Sequence, residues 1–378
     1  MSSPILHKIL RGRDRLWTGV DSLNLRLSKR MGKSLPAGLY YIIPEAEWVT
    51  DWVGRYITRE LRRQYHLRAS LTSAPESLSG QMIHYGEVGA FLHTLGQACN
   101  RKNIIISTIF HGVQDSQFPD LSLQTENFMQ HAHVPRRIVT ACKLMQGRLQ
   151  DWGIPKEKIT YIPLGIDLNK FFPAHPAVKE KIRRDLDIPS TSICIGSFQK
   201  DGVGWSEGLQ PKFIKGPDIF LEVIQNLKSH IPIMVLLSGP ARGYVKQGLE
   251  KIGVPYRHIK VKHYQDMCKL YHALDLYLVT SREEGGPLGV LESLATGIPI
   301  ISSRVGLAPD LIQHEYNGFL VDIEAIQSFV EYSTRLIESQ KLRSDFRKNG
   351  LESIQAYDWP FIASQYYKEV YFPLIQTL

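Results

Sequence analysis

The sequence predicts an α/β protein of two domains, each built on a parallel sheet. Three observations carry that prediction. At 378 residues the chain exceeds what one ordinary hydrophobic core holds. Apolar runs of strand length alternate with segments of helical periodicity down both halves. Midway, Pro163-Leu-Gly-Ile-Asp167 and then Phe171-Phe172-Pro173 combine Pro and Gly punctuation with aromatic anchors, which reads as a connector.

In the first half, Leu39 to Pro44 has the continuous apolar character of a buried parallel strand. A loop around Glu45 to Asp51 leads to a helix ending near Tyr65, with Trp52, Tyr56, Ile57 and Leu61 on one face. Met82 to Tyr85 reads as a short strand, Ala90 to Asn100 as a helix, and Ile104 to Phe110 as a strand ending at His111-Gly112. A polar loop is expected from Gln114 to Thr125, then a helix over Lys143 to Trp152 and a strand over Lys158 to Ile162. Ligands of open α/β sheets sit beyond the carboxyl ends of strands, so His111 is a candidate site residue.

The second half repeats the alternation. Strands are expected at Ser192 to Phe198, Ile233 to Leu237, His258 to Val261, Leu274 to Thr280, Ile298 to Ser302 and Gly318 to Val321. Helices are expected at Pro217 to Lys228, after Pro240 and at Met267 to Ala273, and the stretch from Glu324 to Gly350 is expected to be helical. A long loop, Gln199 to Gly216, follows the first of these strands. From Trp359 to Leu378, Phe361, Ile362, Tyr366, Tyr367, Val370 and Tyr371 recur at helical spacing, enough apolar face to dock on something large.

Composition narrows the class. Hydrophobic residues at 43% and charged residues at 22% describe a globular protein, neither disordered nor fibrous. No apolar run approaches the roughly 20 residues a membrane helix needs. Charges scattered through the first twenty residues argue against a signal peptide. Cys99, Cys142, Cys194 and Cys268 show no paired spacing, which fits a reducing cytoplasm and argues against a zinc site. The net charge of +8 is concentrated: from Met1 to Leu35, eight Lys and Arg face Asp14 and Asp21 alone. With leucines and Trp17 between its charges, this arm packs on its own domain, makes a peripheral contact with an anionic membrane surface or holds an anionic acceptor. No nucleic-acid reader motif accompanies it.

The most informative stretch is Ser281 to Pro299, Ser-Arg-Glu-Glu-Gly-Gly-Pro-Leu-Gly-Val-Leu-Glu-Ser-Leu-Ala-Thr-Gly-Ile-Pro. It follows an apolar strand and continues as a helix on Val290, Leu291, Leu294 and Ala295, stopped by Gly297 and Pro299. Pro287 suits the first helical turn. Gly285 and Gly286 allow close approach of a ligand and unusual backbone angles. Free N–H groups at the helix start carry roughly half a positive charge, a seat for phosphate, with Glu284 and Glu292 flanking it.

Two other features are decoys. Gly202-Val-Gly204-Trp-Ser-Glu-Gly208 places its third glycine one residue late for a dinucleotide fingerprint, and Pro211 follows before any helix. Asp185-Leu-Asp187 has a metal-binding spacing but follows Lys181, Arg183 and Arg184 at a helix end, so it reads as a surface turn.

The connector Ile162-Pro-Leu-Gly-Ile-Asp-Leu-Asn-Lys-Phe-Phe-Pro173, the Lys215-Gly216 pair opening a helix, and Glu284 with Glu292 seven residues between them resemble the GT-B-fold retaining glycosyltransferases, of the group that includes phosphatidylinositol mannosyltransferase and sucrose synthase. The likeness runs from about Ile104 to the C-terminus. It implies two Rossmann-like domains facing a cleft: an N-terminal acceptor domain over residues 1–165 with the basic arm, a connector over 166–173, a C-terminal donor domain over 174–357, and a C-terminal helix over 358–378 crossing back. It further implies that a nucleoside-diphosphate sugar is the donor, that Glu292 accepts hydrogen bonds from the ribose, and that Glu284 engages the donor sugar. Lys215 and the Gly285, Gly286, Pro287, Leu288 and Gly289 segment would neutralise the diphosphate without a metal or other cofactor. His111 would reach the donor sugar, and the acceptor would be a glycan, a lipid-linked sugar or a small molecule.

Two departures stand out. Where the family commonly has Gly-Arg after the first donor-domain strand, this chain has Gly196-Ser197, which makes Lys200 and Lys212 candidates to replace the arginine. The N-terminal glycine loop reads Trp48-Val-Thr-Asp51-Trp52-Val-Gly54. A non-catalytic nucleotide- or glycan-binding subunit, or another GT-B reaction such as a phosphorylase or a nucleotide-sugar epimerase, is the competing reading.

Overall fold

The structure, a computed structural model, describes residues 37–43, 49–98, 102–229 and 231–377. The basic arm from Met1 to Leu35, Trp48 and Cys99 lie outside the described residues. The chain divides into two compact units, one of residues up to Thr140 with Leu149–Ile162 and Trp359–Leu378, the other of Ala141–Arg148 with Pro163–Asp358.

The first unit contains β1 (Leu39–Ile42), α1 (Val49–Tyr65), β2 (Ala69–Thr72), β3 (Met82–Tyr85), α2 (Val88–Ala98), β4 (Ile104–Thr108), α3 (Pro119–His131) and β5 (Arg137–Thr140). Helix α4 (Lys143–Asp151) straddles the division and β6 (Ile159–Tyr161) completes the sheet. All strands are parallel, in the order β2-β1-β3-β4-β5-β6. Two expectations fail here. The stretch read as a polar loop to Thr125 is largely helix α3, opened by Pro119 in its first turn and burying only Thr125 and Phe128, so its apolar periodicity is faint. Helix α1 starts at Val49, inside the expected loop, and Gly54 lies within it because a Cβ there would stand 2.5 Å from the Tyr41 ring.

The second unit runs α5 (Pro176–Asp185), β7 (Ile193–Ser197), α6 (Pro217–Leu227), β8 (Ile233–Ser238), α7 (Gly243–Ile252), β9 (Tyr256–Ile259), α8 (Met267–His272), β10 (Leu276–Val279), α9 (Leu288–Thr296), β11 (Ile300–Ser303), α10 (Ala308–Leu311), β12 (Phe319–Val321), α11 (Ile326–Glu338) and α12 (Gln340–Ser353). The stretch expected to be helical from Glu324 to Gly350 holds two helices, because Ser339 leaves helical geometry (φ −107°, ψ 97°) and its side chain caps the Leu342 N–H. The strands are parallel in the order β12-β11-β10-β7-β8-β9. Every residue of β8 and β10 is buried, as in a sheet covered by helices on both faces. Ile219, Phe220, Val223, Ile224 and Leu227 of α6 pack on Ile195, Val235 and Leu278.

That strand order is the mononucleotide-binding one, and it reverses between β7 and β10. Adjacent loops leaving a parallel sheet at such a reversal part to opposite faces and open a crevice for ligand. The switch point therefore falls on Gln199 to Gly216 and Ser281 to Pro287.

The C-terminal segment, α13 (Trp359–Gln365), a π-helical turn (Tyr366–Tyr371) and α14 (Phe372–Ile375), packs inside the first unit. Trp359 stacks on Tyr56 with ring centroids 5.1 Å apart, and Tyr367 on Tyr65 at 3.7 Å. His84 is fully buried with its ring nitrogens 2.7 Å from the Tyr371 hydroxyl and 2.8 Å from Thr108 Oγ1; burial pushes its pKa down to about 3, so it bonds as a neutral ring. Phe361, expected on the docking face, is instead half exposed.

Candidate active site

The two switch-point loops of the second unit are stitched together. Thr280 Oγ1 donates to the Gly216 carbonyl at 2.9 Å, and the N–H groups of Arg282 and Glu283 donate to the Ile214 carbonyl at 2.8 and 3.1 Å. The Arg282 guanidinium donates to both Asp218 oxygens, at 2.8 and 2.7 Å, and pairs with Glu324. Gly216 sits between, in the left-handed region (φ 60°), where a Cβ would fall 1.9 Å from the Thr280 oxygen. Gly216→Ala is therefore expected to part the loops and cost at least about 1–2 kcal/mol from backbone strain alone. A thermal melt matching the parent would refute this.

This stitching sets Lys215 Nζ 2.6 Å from Glu284 Oε1, the two side chains 16% and 13% exposed. Ser281 Oγ donates to Glu284 Oε1 at 3.2 Å and to Gln199 Oε1 at 3.3 Å, while Gln199 Nε2 donates to the Lys215 carbonyl at 2.8 Å. Beyond Glu284 the chain enters α9. Pro287 is the N-cap (φ −65°, ψ 99°) and not part of the first turn; its carbonyl accepts from the Val290 N–H at 3.0 Å, and the Leu288 and Gly289 N–H groups ahead of that bond lie at the helix's positive end. The unusual backbone angles expected of the glycine pair are absent: neither Gly285 nor Gly286 has a positive φ. Close packing is what demands glycine, since a Cβ on Gly286 would lie 2.4 Å from Leu164 and one on Gly289 2.6 Å from the Tyr277 ring.

Glu292 lies in the second turn of α9, with only 4% of its surface exposed. The Tyr271 hydroxyl donates to its Oε2 at 2.7 Å. Burial pushes its carboxyl above the ordinary glutamate range, opposed by the Tyr264 and Tyr271 hydroxyls. Such a group favours the fold fully below the unfolded glutamate pKa, and that contribution is lost as pH rises through the raised value. Glu292→Gln cannot ionise, so its melting temperature relative to the parent is expected to climb as pH rises from the ordinary glutamate range through the raised value. A flat difference across that range would refute the assignment. The neighbouring acid, Glu283, is buried and bound by Arg148 at 2.9 and 3.1 Å, leaving Glu284 as the acid of this loop that pairs with Lys215.

The basic residues divide. Lys212 is held below the ordinary lysine range by burial and by Lys215 and Lys200, with Glu284 opposing, which places it in the same electrostatic cluster. Lys200 lies 4.2 Å over the Trp205 ring. At the position where sequence reasoning missed an arginine, Arg242 is fully buried beside Ser197. Its Nη1 donates to the carbonyls of Ser197 (2.6 Å) and Ser238 (2.7 Å), its Nη2 to Ser197 Oγ (3.1 Å) and its Nε to Asp201 Oδ1 (2.9 Å). This guanidinium ties the ends of β7 and β8 to the root of the lysine loop and faces inward, not toward a ligand. The order strand, loop, strand was its only sequence signal.

His111 follows β4 in the first unit, whereas Lys200, Lys212, Lys215, Glu284, Gly285 to Gly289 and Glu292 all belong to the second. Of these, Lys200, Lys212, Lys215 and Glu284 fall in one electrostatic cluster. The decoys are inert: Gly202 and Gly208 pack against the Ala241 backbone, and Asp187 is an exposed turn residue (φ 51°) beside Arg257. Among the described residues no three His, Cys, Asp or Glu side chains converge as metal ligands would.

Comparison with known proteins agrees with this geometry. Residues 209–353 match the family described as glycosyl transferases group 1. A D-inositol 3-phosphate glycosyltransferase of Corynebacterium urealyticum is 26% identical over 222 residues, 56% of this chain and 50% of that protein. A UDP-Gal:alpha-D-GlcNAc-diphosphoundecaprenol alpha-1,3-galactosyltransferase of Escherichia coli is 28% identical over 188 residues, 49% of this chain and 46% of its own length. This chain spans about half the length of the curated relatives it matches. In structure, Anabaena HepE in complex with UDP-glucose superposes with a TM-score of 0.70 at 15% identity, covering 90% of this chain and 100% of that one. The second unit is accordingly similar to group 1 glycosyl transferases over residues 209–353, and the two parallel six-stranded sheets are the GT-B fold.

Proposed function

We propose that the protein is a retaining glycosyltransferase that moves a sugar from a nucleoside-diphosphate sugar to an acceptor hydroxyl. The observation that carries the reading is the Lys215–Glu284 pair, 2.6 Å apart at the mouth of the loop opening α9, with Glu292 buried one turn further in. Glu292 accepts from the ribose hydroxyls; Glu284 positions the donor sugar. Lys215, Lys212 and the N–H groups at the start of α9 take up the charge that develops on the leaving diphosphate, the task a divalent metal performs in other sites. The leaving phosphate serves as base on the face from which it departs, which retains the anomeric configuration.

A UDP-sugar is the favoured donor, supported by the UDP-galactose and UDP-glucose in the names of the E. coli relative and the HepE complex. The inositol phosphate and diphosphoundecaprenol in those names favour a phosphorylated or lipid-linked acceptor. A cytoplasmic enzyme with its basic arm on an anionic membrane surface fits that acceptor class. Ser197, standing where an arginine is usual, favours the competing reading of a non-catalytic binding subunit. Incubation with UDP-glucose, UDP-galactose and UDP-N-acetylglucosamine in the presence of a chelator, followed by NMR of the products, separates the two. Transfer or donor hydrolysis yielding the α-anomer supports the proposal; binding without turnover, or an inverted product, contradicts it.

A further inference from the structure

At the opposite end of the second unit's sheet, where Asp275 and Pro299 lead into β10 and β11, lies a cavity of about 310 Å³. One wall is a face of α12: Gln340, Arg343, Ser344 and Arg347 stand at offsets of zero, three, four and seven, which align on one side of a helix. Lys179 of α5 closes it from across.

The charges do not balance. Asp275 is bound by Lys179 at 2.6 Å and by Arg183 at 2.8 Å, so the acid in the wall is matched twice over. Among the described residues neither Arg343 nor Arg347 has a carboxylate partner. Arg343 Nη1 caps the end of α11, donating to the Leu336 carbonyl and to that of Ile337 at 2.6 Å, and its remaining N–H groups are uncommitted. Arg347 is exposed; its Nη2 meets the Ala174 carbonyl only at 3.5 Å. Its stem lies against Gly297, where α9 ends, but the roughly half negative charge of a helix C-terminus offsets only part of two guanidiniums.

We propose that this cavity is an anion site, separate from the switch-point seat, for a small molecule bearing a phosphate group. Guanidiniums one turn apart offer parallel N–H pairs that match phosphate oxygens, and Gln340 and Ser344 add neutral donors beside them. The volume lies at the small end of ligand pockets, which fits inorganic phosphate or a phosphorylated monosaccharide and excludes a nucleotide sugar.

The test is isothermal titration calorimetry of the full chain with inorganic phosphate and with glucose 6-phosphate, using the parent and the Arg347→Gln, Arg347→Lys and Lys215→Ala variants. Arg347 is exposed, so its replacement leaves the fold intact. Arg347→Gln is expected to bind roughly tenfold or more weakly, the usual loss with a charge-assisted hydrogen bond, and Arg347→Lys to recover part of that affinity. Lys215→Ala is expected to leave this binding unchanged. Tighter binding of the sugar phosphate identifies an ester ligand and equal binding identifies free phosphate; either supports the site. No binding by the parent, full affinity in Arg347→Gln, or loss in Lys215→Ala would overturn it, without bearing on the transferase reading.

Discussion

Arg242→Ala is expected to destabilise the second unit by about 3–5 kcal/mol, the range for removing one member of a buried ion pair. The side chains of Arg242 and Asp201 are 0% and 1% exposed, so the variant strands a carboxylate away from water and also leaves the Ser197 and Ser238 carbonyls without their donor. The double variant Arg242→Met with Asp201→Asn removes both charges and is expected to regain much of the loss, because the penalty lies in the unpaired charge more than in the missing pair. Urea unfolding of the four members of that cycle measures the coupling. Equal stability of Arg242→Ala and the parent would contradict the inward-facing role.

Lys215→Ala is expected to lower turnover by about two to three orders of magnitude, the scale set by removing one preorganised donor from developing charge. Its effect on stability is expected to be modest beside that on turnover, since Glu284 keeps the Ser281 hydroxyl as a donor when the lysine is removed. Lys215→Arg keeps the charge but spreads it over a planar fork, so partial activity is the expected result. A variant as active as the parent would remove Lys215 from the chemistry. A variant that loses melting temperature in step with activity would make it structural.

Much of the second unit was legible because its signals are local. The run from Leu276 into Ser281 to Pro299 carries strand, glycine and helix signals in order, and the acids fall where that order predicts. The reason for the glycines was not legible: Leu164 and Tyr277, which forbid side chains at 286 and 289, are distant in sequence or belong to the preceding strand. Arg242 was hidden for a related cause. Its partners Ser197 and Asp201 lie more than 40 residues away and meet it only because β7 and β8 are neighbours in the sheet. Helix α3 buries too few residues to print a period, and Ser339 breaks a helical run without a proline or glycine to mark it.

The central claim is that the Lys215, Glu284 and Glu292 seat holds a nucleoside diphosphate. Thermal-shift titration with UDP, GDP, ADP and their sugars reads it directly, because a ligand that binds the native state raises the melting temperature by mass action. One nucleotide family is expected to raise it in the parent, with the shift largely lost in Glu292→Ala and reduced in Lys215→Ala. No shift with any nucleotide, or an undiminished shift in both variants, would contradict the account.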